Sequence, residues 1–163
     1  VKHFVASTNI NDTVPQYLLN GNYNPKPSKA TISNAMDVGN PSNFIRIQEL
    51  FDKNLTKLKK SFSSYSFSDD DTKIMMKSIY NKFNYVSEPH GTIGYLGLKE
   101  YGLKSNEFGI FLETAHPVKF LDVVEDTLSV DVEIPPQIKA VMSKSKVAFS
   151  ISNYQELKMF LNR

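Results

Sequence analysis

A run of hydroxyl, amide and small residues precedes the first strongly periodic helical segment of the chain. Residues 30–43, ATISNAMDVGNPSN, are rich in groups that donate hydrogen bonds, and Arg46 follows one turn into the helix. Free N–H groups at a helix amino terminus, together with an arginine, suit an anion such as a phosphate ester. The same composition also fits a loop that only caps the helix. Composition alone leaves both interpretations open.

Motifs for several familiar kinds of chemistry are missing from the sequence. His3, His90 and His116 lie in three separate segments without the close spacing of metal ligands, so we expect no metal site. The chain has no cysteine, which excludes disulfides, thiolate zinc sites and cysteine nucleophiles. It also lacks the GxSxG, GxGxxG and Walker A patterns. Spacing alone therefore assigns no reaction.

Length and composition are those of one globular domain. The chain has 163 residues, of which 40% are apolar and 22% are charged. A formal net charge of +2 is too small to favour nucleic acid as a partner, and no apolar run approaches the ~18 residues of a membrane span. The absence of cysteine suits a cytoplasmic location. Because the sequence enters a strand at once, without Met or a leader, we expect a fragment of a longer chain.

Helical and strand patterns alternate along the chain. Apolar spacing predicts helices, with Asp12 and Ser68 as amino-terminal caps, at 14–19, 44–58, 69–80, 93–98, 118–128, 137–142 and 153–161. Strands are predicted at 1–6, 83–86, 107–112 and 146–150, a connector at 61–68 and a long ordered loop at 22–43. This order predicts an α/β fold with a mainly parallel sheet flanked by helices.

Three polar turns follow predicted strands, at 9–12, 88–92 and 114–117. In sheets of this kind, ligands bind at the carboxyl ends of the strands. We therefore expect the three turns to meet at one edge of the sheet, with the long loop as a fourth contributor.

Four segments in order along the chain resemble motifs of threonine synthases of the bacterial and fungal type. They read FVASTNINDTVPQYL, TISNAMDVGNPSNFIR, SEPHGTIGY and LETAHPVKF, and they extend from Phe4 to Phe120. The last forty or so residues resemble the family only in pattern. The resemblance implies that residues 1–163 are the C-terminal portion of such an enzyme, including part of its large cofactor-binding domain.

The resemblance also implies a fold and a reaction. The fold is the tryptophan-synthase-like type (fold type II) of pyridoxal phosphate enzymes. Threonine synthases convert O-phospho-L-homoserine and water into L-threonine and phosphate by γ-elimination and β-addition, the last step of threonine biosynthesis. Pyridoxal 5′-phosphate acts as the electron sink, while the protein supplies orientation and electrostatics. The expected partner is this small-molecule substrate, with no nucleic acid and no membrane.

Three residues are implied by the resemblance to lie beside the cofactor. Thr114 resembles the hydroxyl residue that hydrogen-bonds the pyridine nitrogen, although it also fits an ordinary helix cap. A neutral partner leaves that nitrogen largely unprotonated and limits how strongly the ring withdraws electrons, which suits elimination and replacement chemistry. Glu88 and His90 are expected as neighbours of the cofactor.

The substrate contacts are expected in the long loop and the helix that follows it. Ser33, Asn34, Asn43 and Arg46 are expected to contact the substrate or to shape the pocket around the leaving phosphate. Supporting roles are assigned to four other residues. Asp37 and Asn40 would hold the conformation of the loop, whereas Met36 and Val38 would anchor it to the core.

The resemblance places the family's Schiff-base lysine, and its cup for the cofactor phosphate, before Val1. No catalytic lysine is therefore assigned in this chain; Lys119 lies where the family does not place that residue. Without the lysine there is no covalent attachment point, so we expect the isolated chain to be inert. Two alternatives remain: another lyase or dehydratase of the same fold type, or a non-catalytic module that binds an amino acid or phosphate ester.

Overall fold

The computed structural model describes residues 1–162, apart from the side chain of Met36. It divides into two units, Val1–Val132 and a second unit that begins at Glu133. The first unit contains both strands and six helices among the described residues. No helix in the described part of the chain is long and apolar enough to cross a membrane.

A parallel strand pair forms the sheet of the first unit. Strand β1 (Phe4–Thr8) pairs with β2 (Phe62–Ser66), with Phe4 opposite Phe62 and Thr8 opposite Ser66. The chain between them makes the crossover that a parallel pair requires. It contains α1 (Thr13–Asn20), a 3₁₀ turn (Asn34–Met36), α2 (Phe44–Leu50) and α3 (Leu55–Lys59). The predicted parallel arrangement is confirmed.

Strand β2 occupies the serine-rich stretch 61–68, so the prediction of a connector there is wrong. Phe62 is buried in the core, which fixes one face of the strand. The serine hydroxyls return to the neighbouring backbone: Ser64 Oγ donates to the Ala6 carbonyl and Ser66 Oγ to the Asn9 carbonyl, both at 2.7 Å. Serine is tolerated in this strand because its hydroxyls find these partners.

The predicted helix 44–58 is two helices. Asp52 and Lys53 both adopt left-handed backbone conformations with φ of 55°, which ends the first helix. Asn54 then caps α3, its Oδ1 accepting from the Lys57 N–H at 2.9 Å. The apolar period continues across the break because both helices pack on one core cluster. That cluster has six buried members: Val14, Tyr17, Leu18, Phe44, Leu58 and Phe62.

Three further helices complete the first unit: α4 (Asp69–Phe83), α5 (Pro89–Tyr101) and α6 (Leu121–Leu128). The Ser68 cap is confirmed, because Ser68 and Asp71 exchange side chain to backbone hydrogen bonds. Asp12 makes no such cap and instead accepts from Gln16 Nε2 at 2.8 Å. The predicted strand 83–86 is wrong, since α4 runs to Phe83 and ends at Asn84 with φ of 51°.

Helix α5 packs against β1 through a small residue. A side chain at Gly97 would collide with Ser7 and would lie 3.2 Å from Val5 Cγ1. Gly94, one turn earlier, has no such crowding, because its nearest neighbour, Phe111 Cβ, is 3.5 Å away. The close approach at Gly97 therefore sets the distance between α5 and the sheet.

Two other predicted strands, 107–112 and 146–150, are not paired strands in the described structure. A strand is defined by hydrogen bonds to a neighbour, and neither segment has one among residues 1–162. The second unit contains α7 (Pro136–Met142) and α8 (Tyr154–Leu161), as predicted. Asn153 caps α8, and the Phe149 ring lies 5.4 Å from that of Phe160.

Candidate functional site

The turn after β1 is hydrogen-bonded to the central part of the long loop. The buried Asn9 side chain places Nδ2 2.9 Å from both Ser33 Oγ and Asp37 Oδ1 and 3.1 Å from Thr31 Oγ1. Asp37 also accepts from the Thr31 backbone N–H at 3.0 Å and from the Thr31 hydroxyl at 2.7 Å. These contacts confirm that Asp37 holds the loop conformation.

A second set of contacts fixes the ends of the same loop. Asn11 exchanges hydrogen bonds with the Lys29 backbone, at 2.8 and 3.0 Å, and Thr13 Oγ1 donates to the Gly39 carbonyl at 2.6 Å. Asn40 Oδ1 accepts from the Tyr23 hydroxyl at 3.1 Å, which confirms its supporting role. The loop is thus ordered by polar side chains and, at Tyr23, by packing of the ring against the apolar core.

Val38 is 43% exposed, so the expectation that this residue anchors the loop to the core is wrong. The expectation for the Met36 side chain lies outside the described part of the structure. Polar residues dominate here because the backbone of an irregular loop needs hydrogen-bond partners wherever it is buried.

Glu88 closes the amino terminus of α5. Its carboxylate is fully buried, with Oε1 accepting from the Gly91 N–H at 2.8 Å and Oε2 from the His90 N–H at 2.9 Å. His90 Nδ1 lies 2.7 Å from the same Oε2. A carboxylate at this position also faces the positive end of the helix dipole. The Glu88 carboxylate thus caps the helix end and orients the His90 ring.

His90 connects α5 to the long loop. Its Nε2 lies 3.1 Å from the Ser33 carbonyl oxygen, and its ring centroid is 4.8 Å from that of Phe120. Both ring nitrogens therefore face acceptors, the Glu88 carboxylate and the Ser33 carbonyl. The ring thus joins the start of α5 to the backbone of the loop.

Glu113 brings a second carboxylate to the same helix end. Its Oε1 accepts from Ser87 Oγ at 2.8 Å, and Ser87 Oγ accepts from Thr92 Oγ1 at 3.0 Å. The carboxylate occupies the space that a side chain at Gly91 would need. Position 91 therefore has to be glycine while Glu113 points inward.

The pKa values of the Glu88 and Glu113 carboxyl groups are shifted in opposite directions. Burial alone would raise the pKa of Glu88, but hydrogen bonds from the His90 ring and from the backbone N–H groups of His90 and Gly91 outweigh it, and the pKa lies below its ordinary value. Burial raises the pKa of Glu113 above its ordinary value, and the nearby Glu88 charge adds to this. The Ser87 hydrogen bond opposes the rise only in part.

Thr114 follows Glu113 and is exposed. No hydrogen bond within residues 1–162 reaches its hydroxyl. Ala115 packs against the buried cluster of Met76, Phe120 and Val124, so the backbone on either side of Thr114 is anchored. The Thr114 hydroxyl is available to a ligand. Lys119, in the 3₁₀ turn that precedes α6, is also exposed.

The residues expected to contact the substrate fall into two groups. Ser33 is buried, its hydroxyl 2.9 Å from Asn9 Nδ2 and from Thr31 Oγ1, and it touches His90 through its carbonyl. Asn34, Asn43 and Arg46 are exposed. In the described contacts nothing joins Asn43 or Arg46 to the cluster around His90. Their contact with substrate stays a prediction.

The segments around the polar turns are in contact, but not at one sheet edge as expected, because 83–86 and 107–112 are not strands among the described residues. Asn9 reaches the long loop, the loop reaches His90, and Glu113 reaches Ser87 and Gly91. Sequence reasoning included Asn9 only as part of the turn 9–12 and missed Ser87 and Glu113 as members of this cluster. Alternation along LETAHP was a usable signal for Glu113, since it places that carboxylate on the same side as the anchored Ala115.

Comparison with known proteins shows what the chain is similar to. Residues 93–160 match the family model described as Threonine synthase, C-terminal. The threonine synthase of Buchnera aphidicola from Acyrthosiphon pisum is 44% identical over 162 residues, which are 99% of this chain and 37% of that protein. The chain as a whole is similar to threonine synthases. It spans somewhat more than a third of the length of these relatives.

Solved threonine synthases share the fold. The Escherichia coli structure superimposes with a TM-score of 0.84 at 36% identity, covering 99% of this chain and 38% of that one. The pyridoxal phosphate-bound structure from Brucella melitensis gives a TM-score of 0.81 at 24% identity, covering 90% and 36%, and therefore bears on the fold alone. The predicted α/β fold class, with a parallel sheet flanked by helices, is confirmed for this threonine synthase-like chain.

The two carboxyl groups generate a testable pH dependence. Glu88 stabilises the fold fully above its ordinary pKa of 4.5, and this contribution is lost as the pH falls through the lower folded value. Glu88→Gln should therefore reduce the free energy of unfolding at pH 7 by about 1–3 kcal/mol, because buried N–H donors lose an acceptor. The difference from the parent should shrink as the pH falls below 4.5.

Glu113→Gln is the matched control. Its raised pKa means that ionisation costs stability as the pH rises, so the amide should cause no loss at pH 7. Urea unfolding of the three proteins between pH 3 and pH 8 measures both effects. An equal loss from the two substitutions at pH 7 would contradict the assignment.

Proposed function

We propose that this chain forms the C-terminal portion, including part of the large cofactor-binding domain, of a threonine synthase. The enzyme would convert O-phospho-L-homoserine and water into L-threonine and phosphate as the last step of threonine biosynthesis, a carbon–oxygen lyase reaction. A cytoplasmic location accompanies this proposal. The observation that carries it is the hydrogen-bonded meeting of the Asn9 turn, the loop at Ser33 and the α5 end at His90, all within threonine synthase-like motifs.

Pyridoxal 5′-phosphate is the proposed cofactor, and the chemistry of this cluster fits it. Thr114 offers an exposed hydroxyl without a partner in the described residues, on a backbone held by Glu113 and Ala115. Such a group can hydrogen-bond a pyridine nitrogen without placing a charge beside it. When bound, the cofactor supplies an electron sink for carbanions of the substrate.

Glu88 and His90 would support the cofactor site rather than carry out a step. The Glu88 carboxylate is fully buried and already accepts from the α5 backbone and faces the His90 ring. His90 in turn holds the loop through the Ser33 carbonyl. We therefore assign both residues to positioning α5 and the loop around the ligand.

The long loop would shape the phosphate end of the substrate pocket. The Ser33 hydroxyl is occupied by Asn9 and Thr31, which suits a role in loop geometry. Asn34 follows Ser33 directly, at the start of the 3₁₀ turn, and its exposed side-chain amide could contact the substrate. Asn43 and Arg46, exposed at the start of α2, would meet the substrate phosphate, since an arginine pairs well with phosphate oxygens.

Restoring the rest of the enzyme tests the proposed reaction. The 163-residue chain alone should release no phosphate from O-phospho-L-homoserine, because the resemblance places the Schiff-base lysine outside it. Co-expression with the amino-terminal part of Escherichia coli threonine synthase, the relative that shares the fold at 36% identity, should restore phosphate release and threonine formation. Calorimetry of the chain alone with L-threonine and O-phospho-L-homoserine tests the rival role. Binding by the chain alone, without restored turnover, would favour the non-catalytic module.

Thr114→Asp tests the proposed contact with the pyridine nitrogen in the restored enzyme. A carboxylate would draw a proton onto that nitrogen, so turnover should fall at least about tenfold, or about 1.4 kcal/mol in the barrier. Bound cofactor, measured by absorbance after denaturation, should fall much less. Thr114→Ser keeps the hydroxyl and should retain most of the turnover. Unchanged turnover in Thr114→Asp would argue against this role.

A further inference from the structure

Two buried hydroxyl groups near the start of α5 hold the Glu113 side chain inside the first unit. Thr92 Oγ1 donates to Ser87 Oγ at 3.0 Å, and Ser87 Oγ donates to Glu113 Oε1 at 2.8 Å. Ser87 and Thr92 are 1% and 0% exposed. The Ser87 hydroxyl has one proton, and the Glu88 carbonyl oxygen is farther from it, at 3.3 Å. The two hydroxyl groups therefore point in series at the Glu113 carboxyl group.

The shape of α5 at Gly91 also accommodates the Glu113 side chain. A methyl group at Gly91 would overlap the Glu113 carboxyl group, whose Cδ and two oxygens are the three atoms nearest to that position. Glycine is a poor helix former, yet it is the third residue of this helix. The missing side chain at position 91 and the inward carboxyl group at position 113 are thus two halves of one contact.

Thr114 lies on the opposite side of the chain from this contact. Phe111, Glu113 and Ala115 are partly buried, whereas Leu112 and Thr114 are exposed. Such alternation is that of an extended backbone, in which successive side chains point to opposite faces. An inward Glu113 side chain therefore turns the Thr114 hydroxyl outward.

Side chains hold the backbone around Thr114. Within residues 1–162 no hydrogen bond between backbone groups reaches residues 108–115. Ala115 packs on the cluster of Met76, Phe120 and Val124, but apolar packing has no preferred direction. The hydrogen bond from Ser87 to Glu113 does have one. Glu113 is therefore the directional anchor beside Thr114.

The electrostatics of Glu113 suggest which of its properties matters. Burial raises the pKa of its carboxyl group, and the nearby Glu88 charge adds to the rise. The inward position thus favours the uncharged form. A neutral amide of the same shape should therefore occupy the same place, whereas removal of the side chain should release Thr114.

We propose that Glu113 is a positioning residue of the proposed reaction. Its carboxyl group, hydrogen-bonded by Ser87 and seated against Gly91, holds the backbone that directs the Thr114 hydroxyl at the pyridine nitrogen of pyridoxal 5′-phosphate. Glu113 faces α5 and acts through Thr114. This inference rests on the proposed function for the identity of the ligand, but not for the contact between Glu113 and α5.

Nuclear magnetic resonance of the ¹⁵N-labelled 163-residue chain tests the contact without a cofactor. The order parameter of the Thr114 amide should be about 0.85, as in rigid backbone, and should fall below about 0.6 in Glu113→Ala. Glu113→Gln keeps the shape and an oxygen acceptor, so it should keep the parent value. Glu107→Ala is the matched control, because this carboxylate of the same segment binds Lys2 and the Lys104 N–H instead. It should leave the Thr114 amide unchanged.

Gly91→Ala tests the steric half of the contact. Alanine is the better helix former, so α5 should not be weakened. Its methyl group should displace the Glu113 carboxyl group and lower the Thr114 order parameter as Glu113→Ala does. In the double variant the methyl group replaces the missing carboxyl group, so no further decrease is expected. Two independent effects would add instead.

The enzyme restored by co-expression gives a readout at the cofactor itself. With ¹⁵N-labelled pyridoxal 5′-phosphate bound, Glu113→Ala should shift the pyridine nitrogen resonance in the same direction as Thr114→Val, which removes the hydroxyl. Glu113→Gln should match the parent. The kcat of Glu113→Ala should fall at least about tenfold. KM should change little, because the substrate-binding contacts are left in place.

The two readouts separate this role from the proposed function. An unchanged Thr114 order parameter in both Glu113→Ala and Gly91→Ala would overturn the proposal, whatever reaction the enzyme catalyses. A pyridine nitrogen resonance that moves in Thr114→Val but not in Glu113→Ala would also overturn it and would leave the proposed function standing. A resonance that moves in neither variant would count against the proposed cofactor contact, and the positioning role would fall with it.

Discussion

The buried Glu88 carboxylate is the contact on which the candidate site depends. It satisfies two backbone donors at the start of α5 and lies against the His90 ring, which reaches the Ser33 carbonyl. A carboxylate is costly to bury, and here hydrogen bonds and the helix end compensate for that cost. The same few atoms thereby fix the helix, the ring and the loop. Loss of this group would leave donors unpaired in an otherwise closed environment.

Helix α5 carries this local order to the rest of the first unit. Two of its glycines allow close approach: Gly97 to β1 and Gly91 to Glu113. The helix therefore sets the positions of the sheet, of residues 107–114 and of the exposed Thr114 that follows Glu113. The long loop is fixed from the other side, where Asn9 extends from the end of β1 to Ser33 and Asp37. Both supports are polar, which suits the charged ligand that we propose for this surface.

The sequence predicted the architecture better than the details of pairing. Alternating patterns correctly gave a parallel α/β arrangement, whereas two of the three polar turns do not follow strands in the described residues. The spacing of apolar residues could not reveal the break at Asp52, because α2 and α3 both pack on the same core cluster. Asn54 was nevertheless recognisable as a helix cap. The serine-rich composition did not predict strand β2, because the acceptors of the serine hydroxyls, the Ala6 and Asn9 carbonyls, are distant in sequence. The apolar run at Phe108 indicated a buried strand, but burial and pairing depend on a neighbour that the described residues do not supply.

Native-state hydrogen exchange of the loop tests the central claim most directly. In His90→Phe the ring can still pack on Phe120, but both hydrogen bonds are lost. The Thr31 and Ser33 amides should then exchange at least tenfold faster than in the parent chain. His90→Gln, which keeps an N–H donor able to reach the Ser33 carbonyl, should restore part of the protection. Equal exchange in the parent and His90→Phe would show that Glu88 and His90 do not hold the loop.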